Sequence, residues 1–308
     1  MVRYLKSLNP HIKGIILAFL ATLGMANVYV FSKAAMLEVN FFQFQFYWFA
    51  FALLWILVYL LISGVIKNIR KLETRSLRNL VIIGFLELGA AITLFTAIRL
   101  AENPANVSFL SNVTPVFVTI LGIRFLQERF NLIEAIGIIL TMGGVIMITY
   151  TRDTTIKEFF GEGSGWILIS SLLLSISIVF TKINIKNIHP GLFALNRTLF
   201  LFVFGVIAIL IRNDSFRVPG SAIFNMAAGS FLGPFLTALA QYSALKFIEA
   251  SRTMIIQATR GLFVLIGSMI YLSILPTSLQ IIGGSITIVG VIIMTWGKIR
   301  MHNKKAGS

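Results

Sequence analysis

Three ionisable residues stand inside stretches that are otherwise apolar: Glu87, Arg197 and Arg260. A charge in hydrocarbon costs roughly 2.5–3.5 kcal/mol on insertion scales, so each needs a partner, a wet cavity or a functional reason. An arginine offers a planar fork that grips a carboxylate through two parallel hydrogen bonds. A nearby glutamate can balance that charge, bind an amine or take up a proton. The competing reading is a buried Glu87–Arg ion pair that locks two helices and touches no solute. Helical rise puts all three at similar depth. Glu87 follows Arg78, Arg197 follows Pro190 and Arg260 follows Arg252 by seven to nine residues, about 10–14 Å from one membrane face. One charged layer is the expectation.

A second set is neutral and polar: Asn27, Asn112, Asn196, Gln241, Tyr242 and Gln257. Each either contacts solute in a polar cavity or makes an interhelical hydrogen bond, worth about 0.6 kcal/mol on average. Trp48 is an aromatic wall in one reading and a packing or lipid-facing residue in the other. Together these ten side chains are the candidate substrate-binding set. Chemistry of other kinds is poorly supplied. There is no cysteine, His11, His189 and His302 fall in loops or tails, and neither His-Glu-x-x-His, Gly-x-Ser-x-Gly nor a Walker sequence occurs. The chain reads as a non-enzyme with no cofactor and no metal.

The elements that must hold these residues follow from composition. Of 308 residues, 57% are hydrophobic and 12% charged, against about 25% charged in soluble domains. Ten runs long enough to cross a bilayer are read at about 14–33, 42–63, 79–98, 105–126, 132–150, 165–186, 191–211, 222–245, 253–275 and 278–296. No small-residue cleavage site follows the first, so it is expected to remain as a span. With the N-terminus inside, 18 of the 26 Lys and Arg fall on inner segments and 6 on outer ones; Arg197 and Arg260 are the rest. The net charge of +15 is therefore a topology signal, with both termini cytoplasmic, and not a nucleic-acid surface. The expected setting is the cell membrane.

The chain also matches itself. Val30-Phe31-Ser32-Lys33 corresponds to Val179-Phe180-Thr181-Lys182, and Trp48 stands where Arg197 stands. Ala97 to Glu102 corresponds to Ala244 to Glu249, and Gly137 and Gly144 to Gly283 and Gly290. Five crossings per half invert the second half relative to the first, the arrangement of many secondary transporters. The fold class expected is an all-α membrane protein of ten transmembrane helices in two inverted five-helix repeats, 1–151 and 152–308. The repeated glycines suit close helix packing within one chain or in a homodimer. Pro115 is expected to disrupt the fourth helix.

Residues 14–296 resemble the EamA family of the drug/metabolite transporter superfamily. The resemblance is carried by Val30 to Lys33, Ala97 to Glu102, Ser111 to Phe117, Phe125 to Arg129 and the Gly137…Gly144 pattern. It departs at Leu23-Gly24, where the family has Trp-Gly, and at Gly261 or Leu262, where it has Pro. In the second half Leu275-Pro276 stands for Glu-Arg. The resemblance implies a cavity lined by helices one to four and six to nine, with five and ten outside, and transport of small metabolites such as amino acids.

The function expected is a secondary transporter or exporter of an amino acid or other carboxylated solute, working by alternating access as a monomer or homodimer in the lipid bilayer. Two arginines facing one glutamate favour a carboxylate. The alternative is a non-transporting receptor or assembly factor, which the shortness of the longest loop, about 151–164, disfavours.

Overall fold

The computed structural model describes residues 9–100, 110–149, 163–263 and 277–306. All regular structure among them is helical. The helices are α1 (Pro10–Met36), α2 (Phe41–Ile62), α3 (Thr74–Leu100), α4 (Val113–Phe125), α5 (Leu132–Thr149), α6 (Ser164–Asn184), α7 (Pro190–Ile211), α8 (Gly220–Phe247), α9 (Ala250–Ala258) and α10 (Ser278–Ala306). A 3-10 helix, Val65–Lys71, joins α2 to α3.

Seven of these helices are long and apolar enough to cross a membrane: α1, α2, α3, α6, α7, α8 and α10. The helices α4 and α5 are shorter and apolar. The expected fourth and ninth spans draw partly on 101–109 and 264–276, which lie outside the described residues, as does most of the loop after α5. Exposed faces show what the surface is made for. On α2, Leu54, Val58 and Leu61 are exposed, and on α7 Leu199, Val203 and Ile207, each one turn from the next. In water those stripes would be polar; in lipid they are solvated.

Local sequence explains the helix ends. Asn40 and Gln43 form a capping box at the start of α2, each side chain bonding the other's backbone amide. Asn131 and Glu134 do the same for α5, and Thr277 and Gln280, both 146 residues further on, for α10. The repeat is thus written into helix starts as well as apolar runs. Within α8 the helix is α over Gly220–Ser230, π over Phe231–Thr237 and α again over Ala238–Phe247. Pro234 sits inside the π segment, where its missing N–H opens the hydrogen-bond ladder.

The chain divides into two compact units, and each draws on both sequence halves. The first comprises Met1–Gly89 and Phe180–Ile248, the second Ala90–Val179 and Glu249–Ser308. In the first unit α2 packs on α7 and α1 on α8. In the second unit α5 packs along α10. There a Cβ on Gly137 would lie 2.7 Å from the Gly290 carbonyl oxygen, and one on Gly290 would lie 2.8 Å from that of Gly137. The backbones touch, so a side chain at either position has no room. Of the two readings of these glycines, packing within one chain accounts for Gly137, Gly144 and Gly290; a Cβ on Gly143 would meet nothing within 4 Å.

Candidate functional site

In the first unit, helices α3, α7 and α8 bring Glu87, Arg197 and Tyr242 together. The Tyr242 hydroxyl donates to Glu87 Oε1 at 2.6 Å. Arg197 Nη1 stands 3.8 Å from that same oxygen, an ion contact too long for a hydrogen bond. Glu87 keeps 3% of its side chain exposed, whereas Arg197 keeps 33%. The surrounding shell fixes these groups. Phe193 lies 5.7 Å from the Tyr242 ring, and Asn196 Nδ2 donates to the α3 carbonyl of Leu80 at 2.8 Å. Asn196 thus links α7 to α3.

The repeat shows how unusual this crossing is. Glu87 has Pro234 as its counterpart 147 residues on, and Arg197 has Trp48 149 residues back. Trp48 is buried and lies against α8: a Cβ on Gly229 would come within 2.5 Å of its ring, and one on Gly233 within 3.3 Å. Equivalent places in the two halves therefore hold a charged crossing and a close-packed aromatic one.

Arg260 belongs to the second unit, so the single layer of three charges expected from helical depth is not a feature of the first. Its guanidinium donates to Ser111 Oγ at 3.2 Å. One turn earlier, Gln257 Nε2 is buried without a hydrogen-bond partner among the described residues. Asn112 is buried and precedes α4, which starts afresh at Val113. Residues 110–111 are helical, so the interruption at Asn112 falls within one turn before Pro115, where the missing N–H and the ring disfavour a continuous helix. Ser175 donates to the Thr114 carbonyl at 3.3 Å. Of the remaining candidates, Gln241 is buried beside Tyr242, and Asn27 Nδ2 bonds its own helix at Leu23.

Several charges that the sequence places in inner loops are buried here. Arg252 donates to Glu134 Oε1 through Nε at 3.1 Å and Nη2 at 2.5 Å, meets Glu249 at 2.6 Å, and lies over the Phe130 ring. Glu128 accepts from the Ala250 amide at 2.7 Å and from the Ser251 hydroxyl, capping the start of α9. Lys182 donates to the carbonyls of Leu245 and Ile248, closing the end of α8. The repeated Phe-Ser/Thr-Lys motif was the sequence signal for Lys182; nothing local announced the partners of Glu128. His189 Nδ1 accepts from the Gly191 amide at the start of α7. Burial, then the charge of Lys246, lowers its pKa below the ordinary histidine value. Among the described residues no three His, Asp or Glu side chains gather as a metal site.

The sequence model of the EamA-like transporter family matches residues 12–150 and again 162–296. An uncharacterized transporter of Synechocystis is 23% identical over 253 residues, 79% of this chain and 72% of the relative. A WAT1-related protein of Arabidopsis thaliana is 25% identical, with 93% of this chain and 88% of the relative covered. A protein crystal structure superposes with a TM-score of 0.78 at 15% identity over 94% of this chain and 98% of its own, a likeness of fold alone. Matched once in each half and surrounded by transporter relatives, the chain belongs to the EamA-like transporter family and is a membrane transporter of small solutes.

Proposed function

We propose that the solute is an amino acid or another carboxylated metabolite, carried by alternating access, and that Arg197 is the group that grips its carboxylate. The observation that carries this reading is the loose pairing of Arg197: one third exposed and 3.8 Å from its buried counter-ion. A guanidinium so placed is charge-balanced, yet it keeps its fork available for a second carboxylate. Glu87 supplies the opposite charge for an amine, which suits a zwitterion. Arg260, with Ser111 and Gln257, is a second polar group in the same role. The inverted halves 1–151 and 152–308, with both termini cytoplasmic, support an exchange between inward and outward openings.

Reconstitution tests it. Purified protein in liposomes is assayed for exchange of the twenty amino acids against their methyl esters, with Arg197→Gln and Arg260→Gln at matched protein density. Transport of acids over esters, reduced about tenfold or more by loss of a charged hydrogen bond, is expected. Full transport in both variants, or equal handling of esters, ends the carboxylate reading.

A further inference from the structure

The Glu87–Arg197 contact raises a physical question. A buried carboxylate and a guanidinium on facing helices attract strongly where water is scarce, so they ought to close to hydrogen-bond distance. The same protein shows such closure in its second unit, where Arg252 reaches Glu134 at 2.5 and 3.1 Å. Arg197 stops at 3.8 Å. Two things differ: Arg197 is 33% exposed where Arg252 is 3%, and a hydroxyl stands on the oxygen that Arg197 faces. The Tyr242 hydroxyl stands 2.6 Å from the very oxygen that Arg197 faces, on a side chain that is 1% exposed and held by Phe193.

We infer that Tyr242 is a positioning residue: by donating to Glu87 Oε1 it competes with Arg197 for that oxygen and satisfies part of its charge, and so leaves the guanidinium open to a solute carboxylate. Its hydroxyl donates to Glu87 on the same oxygen that Arg197 faces. A solute carboxylate then meets an arginine already balanced but not committed, instead of having to break a closed buried pair, which is expensive. Without the hydroxyl, Arg197 folds onto Glu87 and the site is sealed by its own counter-ion. The ligand this arrangement takes is a single planar carboxylate, and Tyr242 need not touch it. The inference rests on the reading of Arg197 as the carboxylate group, but its test reads the guanidinium itself.

The experiment is chemical modification of the intact protein in liposomes with phenylglyoxal, an arginine reagent, with the Arg197 adduct quantified by mass spectrometry. In Tyr242→Phe the adduct at Arg197 should fall about tenfold, the ratio for one charged hydrogen bond gained. In Tyr242→Phe/Glu87→Gln it should return to the wild-type level, because no carboxylate remains for Arg197 to close on. Glu87→Gln alone should match or exceed wild type, and it carries the test if Tyr242→Phe fails to fold. Four outcomes overturn the inference: an unreactive Arg197 in the wild type, an unchanged adduct in Tyr242→Phe, a fall that Glu87→Gln does not reverse, or a lower adduct in Glu87→Gln alone. Transport that survives Arg197→Gln while these adduct ratios hold would sink the proposed function and leave the positioning role standing.

Discussion

Arg252 and Arg197 sit in different compact units and answer the same problem in opposite ways. In the second unit Arg252 is 3% exposed and bonded to Glu134, Glu249 and the Arg129 carbonyl, with Phe130 against its face. Next to it Glu128 accepts from Ala250 and Ser251. Two carboxylates stand 2.5 and 2.6 Å from the guanidinium, and the cluster ties the loop between α4 and α5 to the start of α9. In the first unit Arg197 keeps a third of its side chain exposed and stands off from Glu87. A closed cluster holds a fold in one place, whereas an open one remains able to bind. Both the burial of the arginine and the closeness of its partners separate the two.

The sharpest way to break this contrast is to remove each arginine. Arg252→Met leaves Glu134 buried and uncompensated, and should cost about 3–5 kcal/mol in unfolding measured in detergent. Arg197→Gln should cost less, about 1–3 kcal/mol, because Glu87 stays buried but keeps the Tyr242 hydroxyl as a donor. Equal losses would erase the distinction. Next in size, Gly290→Val forces a side chain into the α5 backbone of the second unit and should destabilise by about 1–3 kcal/mol. Gly143→Ala, with open space around it, should be nearly silent in the same melt. Smaller again, Ser251→Ala removes one donor from Glu128 and should cost about 1 kcal/mol, with no change in transport.

The smallest effect is expected in the first unit, at His189. Its pKa is lowered in the folded protein, so the unfolded chain binds the proton more readily. Stability from this group is present above the ordinary value of about 6.5 and declines as pH falls through it toward the lower folded value. Protonation also removes the Nδ1 acceptor that caps Gly191. The melting temperature should therefore drop on mild acidification, and less so in His189→Asn, which caps without titrating. An identical pH profile in the two proteins would refute the assignment.

Much of this was legible in the residues. Helix positions followed from apolar length, because the bilayer sets the length. The repeat followed from charges and glycines at offsets of 146 to 149 residues, and the capping boxes at Asn131 and Thr277 carry the glycines' offset of 146 in helix-terminal chemistry. Glu87, Arg197 and Arg260 stood out as costly charges in apolar runs, and Tyr242 only among the neutral polar residues there. The division into units was not legible, since each unit takes pieces from both halves and the boundary runs through α3 and α6. Nor was the burial of Glu128 and Arg252: both lie near helix ends, where a sequence offers water by default, and their partners are far along the chain.

What the sequence determined by itself is which segments leave water and that they come in two copies, because transfer into lipid is additive along a chain and depends on residue type. Which charges meet was decided by the tertiary structure alone. A pairing in hydrocarbon depends on helix rotation and on distances of an ångström, as the step from 2.5 Å at Arg252 to 3.8 Å at Arg197 shows. No local pattern encodes that step, because the third group at Glu87, the Tyr242 hydroxyl, comes from a helix 155 residues away from Glu87.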